Sequence, residues 1–74
     1  MPFEEAVDEI IIGKAVYDDD KYKMAMYAIV HYRILKTHLP EEKHGPMNEL
    51  ICSFLQGKLD SDAFRQKAKE LRDA

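Results

Sequence analysis

The stretch KYKMAMYAIVHYRILKTHL, residues 21–39, decides how this chain is read. At about 100° per residue, Tyr22, Ala25, Ala28, Ile29, Tyr32, Leu35 and Leu39 fill one broad side of a helix, while Met26, Tyr27, Val30 and Ile34 fill much of the opposite side. A surface helix of a globular domain carries one apolar stripe, and this one carries two. Only the rest of a 74-residue chain is available to cover it. Either the helix runs through the centre of a small bundle, or one of its faces meets another chain.

Length sharpens that choice. A single domain of this size buries roughly 60% of the surface its unfolded form exposes, and such domains commonly lean on disulfides, a metal or oligomerisation. Cys52 is the only cysteine, which excludes an internal disulfide and a cysteine-rich zinc site and points to a reducing compartment. No basic start leads into an apolar run ending in small residues, and no apolar stretch is long enough to span a bilayer. The expectation is a soluble, cytoplasmic, single-domain protein over residues 1–74.

The net charge of −3 is unevenly spread. Residues 1–20 hold Glu4, Glu5, Asp8, Glu9, Asp18, Asp19 and Asp20 against Lys14 alone, whereas residues 21–38 hold Lys21, Lys23, Arg33 and Lys36 with no acid. The pattern predicts an acidic first helix lying against a basic second one. The functional alternative makes the acidic end a docking surface for a basic partner.

Spacing gives the remaining elements. Phe3, Val7, Ile10, Ile11, Lys14 and Tyr17 recur every three or four residues behind Glu4 and Glu5, which suit a helix N-terminus, and predict a helix over 3–17. A strand over 10–17 competes, because Ile10, Ile11, Ile12 and Gly13 all weaken a helix. The aspartates at 18–20 supply a cap for a second helix over 20–38, which Pro40 stops. Residues 39–46 read as the one real loop and the segment expected to move most. Pro46 opens a third helix over 46–56, along which Met47, Leu50, Ile51, Phe54 and Leu55 make a clean stripe, with Gly57 as its C′ residue. Asp60 caps a fourth helix over 60–72, with Leu59 stapled to Phe64. The fold expected is a small all-α four-helix bundle, its second helix central and its third and fourth forming a tight hairpin.

Leu50, Phe54, Leu55, Gly57, Leu59, Asp60, Phe64, Lys67 and Leu71 form a pattern that resembles the helical hairpin of short C-terminal (SHOCT-like) domains, with Ala63 where that family usually carries an acid. Residues 47–71 are also similar to the closing hairpin of small bacterial immunity proteins. The resemblance implies oligomerisation or partner binding rather than catalysis; residues 1–46 resemble no family.

Chemistry-bearing constellations are sparse. His31 and His38 lie two helical turns apart, too far for one metal ion, and read as polar-face residues. Cys52 falls off the apolar stripe with no histidine on its hairpin, and reads as a half-buried small residue. Three glycines make a phosphate cradle implausible. Arg65, Lys67, Lys69 and Arg72 follow a helix and a turn, yet they spread around their helix among acids, which disfavours nucleic acid. No enzyme activity, cofactor or metal is expected.

The function expected is therefore non-catalytic protein binding, beginning with homodimer formation through Met26, Tyr27, Val30, Arg33 and Ile34. Of these, Arg33 stands at the rim. A small acidic inhibitor of a basic partner, such as an immunity protein, antitoxin or phage-encoded antagonist, is the alternative, and a DNA-binding regulator comes third.

Overall fold

Caps and breakers set the elements. In the computed structural model, which describes residues 1–74, the chain forms four α-helices: α1 (Phe3–Val16), α2 (Lys21–Lys36), α3 (His44–Leu55) and α4 (Ser61–Asp73). This is the small all-α bundle that the spacing predicted. The strand alternative over residues 10–17 does not form, because α1 uses its apolar residues at helical spacing: Phe3, Ala6, Val7, Ile10 and Gly13 are buried together.

Asp20 Oδ1 accepts from the Lys23 N–H at 3.1 Å, and Asp60 Oδ1 accepts from the Ala63 N–H at 2.7 Å, so both expected aspartate caps are in place. Gly57 has φ of 80°, a conformation glycine adopts without the Cβ penalty. Around it the Gly57 N–H donates to the Phe54 carbonyl and the Lys58 N–H to the Ser53 carbonyl, the paired bonds of a Schellman stop. Phe54 and Phe64 stack across the resulting hairpin, with ring centroids 4.4 Å apart.

Two boundaries move inward or outward for physical reasons. α2 ends at Lys36 rather than His38, since Thr37, His38 and Leu39 tighten into bonds to the carbonyls three residues back ahead of Pro40. α3 begins at His44 rather than Pro46; Pro46 then occupies the first turn, where its missing N–H removes no helical bond. Residues 39–46, expected to be the mobile loop, are a fastened corner. Leu39 is buried, residues 41–43 form a 3-10 turn, and His44 Nε2 donates to the carbonyls of Lys36 and Leu39. Tyr32 Oη in turn donates to the His44 carbonyl at 2.9 Å.

The core is shared evenly. Its four largest fully buried side chains are Ile10, Leu35, Met47 and Phe64, one from each helix. This corrects the expectation that α2 is central: α2 buries only Met24, Ala28, His31 and Leu35, and packs between α1 and α3. α4 closes the ring against α1. Acidic α1 does lie against basic α2, as the charge pattern predicted, but no ion pair joins the two. Instead α4 supplies the partners, with Arg65 Nε 2.8 Å from Asp8 Oδ1 and Arg72 Nη1 3.4 Å from Glu4 Oε1.

Candidate protein interface

α1 and α2 are antiparallel neighbours, and the ring of Tyr27 packs directly on Gly13. A Cβ placed on Gly13 would lie 2.8 Å from Tyr27 Cδ2, so the ring of Tyr27 fills the space that any larger residue at 13 would need. That seat fixes how α2 is rotated. Tyr27 Oη donates to a Glu9 carboxylate oxygen, its ring lies 5.6 Å from Tyr17 and 4.4 Å from His31, and His31 Nδ1 donates to the Tyr27 carbonyl at 2.8 Å. The bond to Glu9 raises the Tyr27 phenol above its ordinary value, with burial and the nearby carboxylate charge acting in the same direction.

With Tyr27 turned onto α1, the side of α2 opposite its buried residues Met24, Ala28, His31 and Leu35 faces outward. Tyr22 is 76% exposed, Met26 52%, Ile29 51% and Val30 53%. Arg33 stands exposed on the same side. Of the five residues expected to form a docking face, Met26, Val30 and Arg33 are there. Tyr27 and Ile34 are not: both are half-buried, Tyr27 against Gly13 and Ile34 against the core. Tyr22 and Ile29, assigned by sequence to the inner side, take their places. His31, expected on a polar face, is instead buried. A helix that is apolar all round does not reveal its own rotation, so the sequence of α2 alone could not have ranked these residues. The readable signal lay in α1, where a mid-helix glycine that costs about 1 kcal/mol marks a close approach.

The patch extends onto α1. Ile12 and Val16 are 49% and 62% exposed, and they lie three and seven residues beyond Glu9, on the stripe that Tyr27 reaches. Tyr17, Lys23, Met26, Tyr27 and Val30 line a shallow groove between the two helices. Its cations are free, because Lys21, Lys23 and Arg33 form no ion pair, and Lys36 lies over the Tyr32 ring, 4.9 Å from its centroid. Glu5, Asp18 and Asp19 likewise have no side-chain partner, whereas Glu4, Asp8, Glu9 and Asp20 each accept a hydrogen bond.

Elsewhere the polar side chains serve the fold. His38 Nε2 donates to the Met1 carbonyl at 2.9 Å, and no group of three or more His, Cys, Asp or Glu is placed to hold a metal ion. Cys52 is exposed rather than half-buried. No helix is long and apolar enough to cross a membrane. What fold and surface define together is a small four-helix bundle with one open apolar face. No protein-family model, curated protein or solved structure matches this chain.

Proposed function

We propose that this protein is a non-catalytic protein-interaction module, and that it first associates with a second copy of itself through the outer face of α2 and the adjoining edge of α1. The observation that carries the reading is the cluster Tyr22, Met26, Ile29 and Val30, half or more exposed on one helix face while Ile12 and Val16 stand exposed beside it. Fully burying such a side chain is worth roughly 1.5–3 kcal/mol, and about half of that remains available at each position. Summed over four residues on each of two copies, the gain is about 6–12 kcal/mol, of the same order as the 4–15 kcal/mol that association costs. Polar contacts at the rim then decide the affinity, and a dissociation constant in the micromolar to millimolar range is expected.

Met26→Glu together with Val30→Glu tests this. Both side chains already stand half in water, so the doubly substituted chain keeps its helical signal and the thermal midpoint of the dilute, monomeric parent, and sediments as a monomer at concentrations where the parent is dimeric. Unfolding of that variant would assign the face to the core and end the reading. A parent and variant of equal mass at every concentration would do the same.

A further inference from the structure

The charges around the α1/α2 face select one of the two symmetric ways in which two copies can meet. We infer that the partner is a second copy related by a twofold axis running along the helices, so that α1 of each copy lies over α2 of the other, with Arg33 of each against Glu5 of its partner. The inference rests on the self-association proposed above and adds its geometry.

A twofold relating two apposed faces lies in the plane between them. It runs either along the helices or across them. The register of the hairpin is known from Gly13, which is level with Tyr27, and from Phe3, whose ring packs edge-on to His38 at 6.2 Å. Because the helices are antiparallel and rise about 1.5 Å per residue, Arg33 is level with the stretch of α1 between Glu5 and Glu9, and Lys23 is level with the turn that holds Asp18 and Asp19.

An axis along the helices keeps heights unchanged and exchanges the two sides of the face. Arg33, exposed and without an ion pair, then meets the partner copy's Glu5, which is also exposed and unpaired. Lys23 meets the partner copy's Asp18 and Asp19, two further carboxylates without side-chain partners. The apolar side chains match in the same register, because Ile12 stands between the levels of Met26 and Val30. An axis across the helices does the opposite. It lays α2 antiparallel on α2, a helix with no acid anywhere between Lys21 and Lys36, and sets Lys23 against the partner copy's Arg33. Like charges facing across an interface disfavour that pairing.

Charge reversal distinguishes the two by sign. Sedimentation equilibrium of the full chain, of Glu5→Lys, of Arg33→Glu and of the double variant measures the dimer constant, with helical content checked for each. Either single change should raise the dissociation constant roughly tenfold, because two symmetry-related rim pairs turn from attraction to repulsion. The double variant should return to within about threefold of the parent, since its pairs are restored with signs exchanged. A dimer that tightens on Arg33→Glu, or is weakened by both singles and not rescued by the double, overturns this arrangement while leaving self-association in place. A parent chain that never dimerises removes both.

Discussion

Gly13→Ala asks whether the close seat of Tyr27 on α1 sets the rotation of α2, and with it the exposed face. In an unobstructed helix interior the change should stabilise by about 1 kcal/mol. Here the new methyl would lie 2.8 Å from Tyr27 Cδ2, 3.1 Å from Cγ and 3.3 Å from Cε2. These atoms include the root of the ring, so the side chain cannot yield by swinging a flexible tip. Its hydroxyl is held by Glu9 and its face by His31. Overpacking of this kind costs about 1–3 kcal/mol, which outweighs the propensity gain and leaves a net loss of about 1 kcal/mol. Urea unfolding followed by far-UV circular dichroism reads the difference, with an unchanged slope showing that the compactness of both states is preserved. Gly45→Ala is the control, since nothing lies within 4 Å of the added carbon, and it should be neutral or mildly stabilising. In a Tyr27→Ala background, Gly13→Ala should itself become stabilising. A Gly13→Ala protein that gains the full propensity increment, with the Tyr27 phenol still titrating high, would refute the reasoning.

Three further outcomes follow from named contacts. Ile34→Glu should destabilise the fold by about 2 kcal/mol or more because its side chain packs on the core, whereas Val30→Glu should change stability by no more than about 0.5 kcal/mol; chemical denaturation of the two compares them. The Tyr27 phenol is raised in the folded state by its bond to Glu9, so its contribution is complete below the unfolded value of 10.0 and disappears as pH rises through the folded value. Stability measured between about pH 8 and 11 should therefore fall more steeply for the parent than for Tyr27→Phe. Gly57→Ala forces a residue with a Cβ to φ of 80° and should cost about 1 kcal/mol of thermal stability, read as a lowered midpoint.

The parts of this fold that were legible in the sequence are those governed by neighbours along the chain. Asp20 and Asp60 announce helix starts because a short side-chain acceptor satisfies N–H groups three residues on, and Gly57 and Pro40 announce stops because of their own backbone freedom and constraint. Rotation and pairing were not legible, because they are settled between elements distant in sequence. Tyr22 and Ile29 turned outward and His31 inward once Tyr27 docked on Gly13, a contact that no periodicity within α2 encodes. The acidic run of α1 read as a complement to basic α2, yet Arg65 and Arg72 reach it from α4 with long side chains, and the cations of α2 are left unpaired. Three of the five residues of the expected docking face survived that rotation. Met26, Val30 and Arg33 remain outside because they lie on the arc of α2 opposite its buried residues Met24, Ala28, His31 and Leu35.

Mass in solution as a function of concentration, measured on the unaltered chain by sedimentation equilibrium, tests the central claim most directly. The account predicts a rise from one chain toward two as concentration increases from micromolar to millimolar, with no larger species, since a twofold contact closes on itself. A mass of one chain throughout that range would contradict it.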